Sequence, residues 1–307
     1  MKLIIGLMKN KYKQNILDRA LENKSTIILP EVNDRRVSSA IKKLKSLGFV
    51  VVHPMDINKT KFIDFAHKKT FTNNWTEEMI KSYLACPLNL SLFALDSGQV
   101  DCVIAGAKYK TSDVIRSSIR IVGIKNSANW ISSVFIMLSS DHSNFLTFTD
   151  CAVIPDPSIQ QLCGIAYEAS KIHKLLSNEE SKVAFLSFST KGSAKHYKVK
   201  KVQDATDLFK NKFPKIDSEG EIQFDAAINA NVANEKIKQS KLNGNANVFV
   251  FPDLDSANIS YKIAQYLGNY QALGPILLGL NKPVNDLSRG CNIDDIIYVS
   301  AISALQK

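Results

Sequence analysis

The chain has 307 residues, 45% hydrophobic and 22% charged, a balance that excludes a disordered chain and fits one large α/β unit or two domains of ordinary size. A formal charge of +10 raises nucleic acid as a partner. The lysines are scattered, however, apart from short clusters such as Lys195, Lys198, Lys200 and Lys201, and no aromatic-basic or helix-turn-helix pattern accompanies them. The excess reads as solvated surface that also attracts small polyanions, and nucleic acid is not expected.

Five cysteines (Cys86, Cys102, Cys151, Cys163, Cys291) form no CxxC pair, and five histidines (His53, His67, His142, His173, His196) show no ligand spacing. No metal site is expected, and isolated thiols suit a reducing compartment. The opening apolar run, residues 1–8, is too short for a signal peptide core. No apolar run approaches the roughly 18 residues of a membrane span. A soluble cytoplasmic protein with no membrane partner is the expectation.

Short β-branched runs alternate with amphipathic helical patterns, which predicts α/β architecture. TIIL at 26–29 reads as a buried strand, followed by the polar PEVND at 30–34. Val37, Ala40, Ile41, Leu44 and Leu47 then fall at helical spacing, and Gly48 stops the helix. Residues 49–53 and 100–105 are the next strands, with a helix near 113–120. Residues 130–154 are strand-rich and predict a hairpin turning at 141–144. Ser158 and Gln161 form a capping box, opening a helix with Ile159, Leu162, Cys163, Ala166 and Ile172 on one face. Strands follow at 183–188 and 247–251, then a helix capped by Asp255 and Ser256 and ending at Gly268. A late strand at 275–278 and a final helix from about Ile293 complete the pattern.

Ligands of open parallel sheets bind where strands run into helix N-termini. Three such junctions are polar and rich in small residues. The first, AGAKYKTSDVIR at 105–116, brings Thr111, Ser112 and Arg116 to the mouth. The second, SFSTKGSAK at 187–195, holds Ser189, Thr190, Lys191, Gly192 and Ser193. Backbone N–H groups in such a loop can cradle a phosphate. The third, NKPVNDLSRGC at 281–291, lies between the last strand and the last helix and holds Asn285, Ser288 and Arg289. Each junction alone is ordinary loop composition. Together, with Arg116 and Arg289 beside helix starts, they imply an anionic or phosphorylated substrate. None is a Walker A or GxGxxG sequence, so ATP and NAD gain no support.

The third junction, NDLSRGC at 285–291 with Asp295 after it, resembles the C-terminal signature of phosphate acetyltransferases. LSFSTKGSAKH at 186–196 is similar to the central loop of the short bacterial members. FDAA at 224–227, VFVFPDLD at 248–255, GPILL at 274–278, AGA at 105–107 and LPE at 29–31 match in order and spacing. The resemblance covers essentially the whole chain. It implies two three-layer α/β domains with a cleft between them, in an isocitrate-dehydrogenase-like layout. Domain I would be residues 1–128 plus 276–307 and domain II residues 129–275. It further implies a homodimer that passes an acetyl group reversibly between acetyl phosphate and coenzyme A, with phosphate as the other product and no tightly bound cofactor or metal.

Carried over by position, the resemblance implies that Asp295 takes the thiol proton, Ser288 hydrogen-bonds the oxyanion and Arg289 holds acetyl phosphate. Arg116 would bind an anionic group of substrate. A thiol with a pKa of roughly 8.5 is mostly protonated at neutral pH, so a nearby carboxylate base is useful. If Asn292 is a helix N-cap, Asp295 is the N3 residue, where a carboxylate is favoured for capping alone. Several positions depart from the family pattern: Val32, Arg35, Ser117, a basic stretch reduced to Lys68 and Lys69, and Tyr266 where an arginine is common. They put coenzyme A affinity in question and leave open a member that binds without turnover. A metal- and NAD-dependent dehydrogenase of comparable layout would need a cluster of aspartates that this sequence does not show. Phosphate butyryltransferases share the fold but lack the C-terminal block.

Overall fold

The structure, a computed structural model, describes residues 11–126, 128–141 and 143–307. The apolar run at 1–8 and His142 lie outside the described residues. The chain forms two compact units, residues 1–129 with 274–307 and residues 130–273.

The first unit is built on a parallel sheet of four strands. β1 (Thr26–Ile28) lies between β2 (Val50–Val52) and β3 (Cys102–Ala105), and β10 (Val284–Asp286) pairs with the outer side of β3. All four residues of β3 are buried, the continuous apolar run expected of a covered parallel strand. α1 (Lys11–Glu22) and α2 (Arg35–Leu47) each pack on α12 (Ile293–Leu305), and α12 also packs on the sheet. Asp34 caps α2, and Gly48 ends it at φ +101°, a left-handed conformation that glycine adopts without strain. α3 (Ile63–His67), α4 (Glu77–Leu84), α5 (Pro87–Asp96) and α6 (Thr111–Ile121) follow between β2 and β10, with α5 against β3 and α6 against β10.

The second unit supplies a six-stranded sheet in the order β7-β6-β8-β5-β4-β9, whose edge strand β9 runs on from residue 273 into the first unit's residues 274–278. Its strands are β4 (Ser132–Leu138), β5 (Phe145–Thr149), β6 (Lys182–Leu186), β7 (Asp217–Ile222), β8 (Val248–Val250) and β9 (Gln271–Leu278). β4 and β5 form the antiparallel hairpin predicted at 130–154, while β7, β6, β8 and β5 are mutually parallel. α7 (Ile159–Ser177) opens with the Ser158–Gln161 capping box and packs on β5 and β8. α8 (Tyr197–Lys212), α9 (Phe224–Ile228), α10 (Ala230–Lys236) and α11 (Leu254–Tyr266) complete the unit. His173 on α7 is wholly buried, with Nδ1 2.9 Å from the Thr147 hydroxyl and Phe145 edge-on to its ring. Burial pushes its pKa down to about 4.

Four local expectations are corrected. β10 lies within the stretch 281–291 that the sequence reads as loop, because its side chains are buried against β3 and α12. α11 is capped by Asp253, whose side chain accepts from Ser256 N–H, rather than by Asp255 and Ser256. β6 stops at Leu186, leaving Phe188 58% exposed. β9 begins at Gln271 instead of Pro275.

Candidate active site

The first junction is closed by a carboxylate. Glu31, buried just after β1, accepts from the backbone N–H groups of Ala107, Lys108 and Tyr109 at 2.9, 2.6 and 2.7 Å. Those three amides are taken by the carboxylate and anchor the loop to β1. Thr111 opens α6 with its hydroxyl donated to Asp286 Oδ2 at 2.6 Å. Ser112 is exposed, and Arg116 is exposed with a loose ion pair to Asp113 at 3.3 Å.

The second junction is closed the same way. Glu221, buried on β7, accepts from Gly192 N–H at 2.7 Å and from the Ser189 hydroxyl at 3.0 Å. Lys191 N–H goes to the Glu221 carbonyl, Thr190 N–H to the Ser193 hydroxyl, Ser193 N–H to the Thr190 carbonyl, and Ala194 N–H to Ser189 Oγ. Lys191 Nζ lies 3.4 Å from buried Glu219. Ser189 and Thr190 are buried, the latter bonded to Gln223. The N–H groups expected to hold phosphate thus have protein acceptors of their own. Lys191, Gly192 and Ser193 keep exposed surface, but the loop's polar interior is structural.

The third junction differs. Asn285 is fully buried on β10, where its amide accepts from Leu277 N–H at 2.8 Å and donates to Ser303 and Gln306 at 2.6 Å each. The expectation that it contacts substrate meets a fully buried side chain with both amide hydrogens and the oxygen engaged by protein groups, which fits a structural role. Beyond it, Ser288 and Arg289 are exposed. Among the described residues their N–H groups and the Arg289 guanidinium have no protein partner. Gly290 N–H reaches Ser288 Oγ only at 3.4 Å, and Cys291 N–H closes the turn on the Ser288 carbonyl at 2.9 Å. α12 starts immediately after. Asn292 and Asp295 cap each other reciprocally at 3.0 and 2.9 Å, which fixes the half-buried Asp295 at the first turn of that helix.

Arg36 holds this turn in place, a role the sequence reading missed. Its Nε and Nη2 grip Asp34 at 3.1 and 2.9 Å, Nη2 donates to the Ala107 carbonyl at 3.0 Å, and Nη1 donates to the carbonyls of Arg289 and Cys291 at 2.7 and 3.1 Å. The guanidinium holds the Asp34 carboxyl down at about 2. One side chain thus ties the start of α2, the first junction and the turn at 287–291 together. An open cavity of about 660 Å³ lies beside the turn, lined by residues that include Arg36, Lys43, Cys291 and Asn292. Glu31, Glu221 and Asp286 were likewise missed as members of the junctions. The one usable signal was the short spacing of Asp34 and Arg36 behind Glu31.

Other positions singled out by the sequence have ordinary partners. Lys69 pairs with Asp96 and donates to the Ile121 carbonyl at 2.7 Å, which commits it to the first unit's interior contacts. Tyr266 is 76% exposed at the end of α11, where Ile259, Ile263 and Leu267 are also exposed. Burial pushes up the thiols of Cys102, Cys151 and Cys163, and that of Cys291 to about 11. No cluster of three His, Cys, Asp or Glu side chains able to hold a metal ion occurs among the described residues. No helix among them is long and apolar enough to cross a membrane.

A profile of the phosphate acetyl/butaryl transferase family matches residues 43–304. A phosphate acetyltransferase of Bacillus subtilis is 44% identical over 75% of this chain and 71% of its own. One from Staphylococcus aureus is 39% identical over 95% and 98%. The solved EutD phosphotransacetylase of Staphylococcus aureus superposes with a TM-score of 0.83 at 35% identity, over 96% of this chain and 98% of that one. Fold, site and these likenesses define an α/β acyltransferase. The chain belongs to the phosphate acetyl/butaryl transferase family.

Proposed function

We propose that the protein is a phosphate acetyltransferase that passes acetyl directly from acetyl phosphate to coenzyme A in a ternary complex. The observation that carries this reading is the turn at 287–291. It leaves two N–H groups and a guanidinium without protein partners, and a hydroxyl that meets only the Gly290 N–H at 3.4 Å, immediately before the helix start that holds Asp295.

In the proposed sequence Asp295 takes the thiol proton of coenzyme A, and the sulfur attacks the acetyl carbonyl carbon. The carbonyl oxygen then carries the charge, and Ser288 with the turn's N–H groups stabilises it. Arg289 holds the phosphate end through its planar fork, and Arg116 binds a further anionic group. The C–O bond to phosphate breaks, phosphate leaves with the bonding pair, and Asp295 returns the proton to it. Protonated, buried thiols at Cys102, Cys151, Cys163 and Cys291 support direct transfer over an acyl-cysteine route.

The reading includes coenzyme A as substrate rather than cofactor, a cytoplasmic location and a homodimer. The exposed apolar side chains of α11 are surface of the kind a second copy would cover. Purified protein should form acetyl-CoA from acetyl phosphate and coenzyme A with chelator present. Acetyl phosphate should outperform butyryl phosphate, and inactivity on both would sink the proposal.

A further inference from the structure

Asp286 ends β10 with 1% of its surface exposed, and its two carboxylate oxygens are treated unequally. Oδ2 receives the Thr111 hydroxyl at 2.6 Å, whereas Oδ1 has no hydrogen-bond partner. The room for that oxygen comes from Gly106: a Cβ there would fall 2.1 Å from Asp286 Oδ1 and 2.6 Å from the Leu287 nitrogen. Gly106 also sits at φ +106°, where a side chain is strained, so the close approach of loop and carboxylate is built into the backbone. A buried carboxylate with one side-chain donor and one oxygen without a hydrogen-bond partner is an expensive arrangement for a merely structural residue.

We propose that Asp286 is a positioning residue whose proton decides which way the Thr111 hydroxyl points. Ionised, Asp286 keeps the Thr111 hydrogen for itself, and Thr111 presents only lone pairs to the surface. Protonated, Asp286 donates to Thr111 Oγ1, and the freed hydrogen turns outward to an oxygen of an anionic substrate. Binding of the anion then carries with it one proton taken up at Asp286. The charge bearing on Asp286 is Glu31, which disfavours ionisation. The first turn of α6 contributes the Thr111 hydroxyl and its own loop the Leu287 N–H, both of which favour it, while Gly106 brings no side chain. Burial outweighs these and pushes the Asp286 carboxyl up to about 7, within the range where the switch would operate.

The inference rests on the reading of Thr111 as part of the substrate surface, and the test separates the two. KM for acetyl phosphate, which keeps one ionisation state across the range, is measured from about pH 6 to about pH 8.5. Proton uptake on acetyl phosphate binding is measured by calorimetry in two buffers of different protonation enthalpy. The wild type should weaken above neutrality by up to about tenfold per pH unit and take up a proton. Asp286→Asn, whose amide can always donate to Thr111, should show a flat KM and no uptake. Thr111→Val should bind weakly at every pH, and Thr111→Ser should restore the slope. If Asp286→Asn does not fold, the threonine pair carries the test. A flat wild-type profile, or a slope that persists in Asp286→Asn, overturns the switch while leaving acetyl transfer intact. A protein that takes up the proton on binding but transfers no acetyl overturns the activity and leaves the switch.

Discussion

Loop 187–195 and turn 287–291 are both short polar connections that follow a strand and precede a helix, yet they satisfy their hydrogen-bonding groups in opposite ways. In the first, Glu221 and neighbouring hydroxyls occupy the N–H groups and the buried serine. In the second, Arg36 grips acceptors only, two carbonyls and the Cys291 sulfur, so the N–H groups of Ser288 and Arg289 and the Arg289 side chain stay available. A clamp on acceptors fixes a backbone without consuming its donors. A carboxylate placed on donors fixes the backbone and removes them from chemistry. The same contrast separates the junction at 105–111, held by Glu31, from the turn it touches through Arg36.

The largest effects should break that contrast at the open turn. Arg289→Ala and Asp295→Asn should each lower kcat/KM by on the order of 10²-fold or more. Arg289→Ala should act mainly through acetyl phosphate, and Asp295→Asn mainly through kcat. Asparagine keeps most of the capping geometry with Asn292, so Asp295→Asn should lose no more than about 1 kcal/mol of stability. Melting curves and steady-state rates on one preparation decide it. Early melting with normal turnover would make Asp295 a cap alone.

The closed loop should respond the other way. Glu221→Ala removes the acceptor of the half-buried Gly192 N–H and of the buried Ser189 hydroxyl, at a cost of about 2 kcal/mol. At a temperature where the variant is still folded, kcat should change less than tenfold. Denaturant titration beside an activity assay checks both. A variant that melts normally but has lost turnover would move Glu221 into the chemistry.

Acid should shift the stabilities of the two units in opposite directions. Asp286 has a folded pKa raised above its unfolded value, so its contribution is full at low pH and is lost as pH rises toward about 7. His173 has a folded pKa lowered from 6.5 to about 4, so its contribution is present above 6.5 and is lost as pH falls through that window. Between about pH 7.5 and pH 5.5 Asp286 should add about 2 kcal/mol to the first unit, and His173 should remove about 1.3 kcal/mol from the second. Hydrogen exchange of β3 and β5 amides reports the units separately. Asp286→Asn and His173→Gln should each flatten one trend and leave the other.

Much of this contrast was invisible in the sequence for physical reasons. Strands 26–28 and 248–250 and helix 35–47 were readable because apolar spacing and caps are local signals. β10 was not: Asn285 and Asp286 oppose strand propensity, and only burial against β3 overrides it. α5 is buried from Leu88 to Leu95 and so shows no polar face to mark its period. The open turn was legible because Ser288, Arg289 and Asp295 lie within one short segment. Its supports were not, since Glu31 meets its amides across 76 residues and Asp286 meets Thr111 across 175. Loop composition likewise could not tell a phosphate cradle from a loop already filled by Glu221.

The smallest expected effect lies at Tyr266, which is exposed like the open turn but keeps apolar company. The resemblance puts an arginine at this position, and the tyrosine is one of the departures that put coenzyme A affinity in question; we propose that the position faces coenzyme A. An added guanidinium near a solvated phosphate contributes about 1 kcal/mol, roughly fivefold in affinity, because water screens the pair. Tyr266→Arg should therefore lower KM for coenzyme A by about that factor and leave KM for acetyl phosphate unchanged. The competing role follows from Ile259, Ile263 and Leu267 on the same helix: a stripe of that kind serves assembly. There, a charge placed against apolar side chains would weaken self-association and leave both KM values where they were. Sedimentation of Tyr266→Arg and of Ile263→Ser beside the kinetics separates the two. A lower KM at unchanged mass assigns Tyr266 to substrate, whereas a lower mass shared with Ile263→Ser at unchanged KM assigns it to the apolar face.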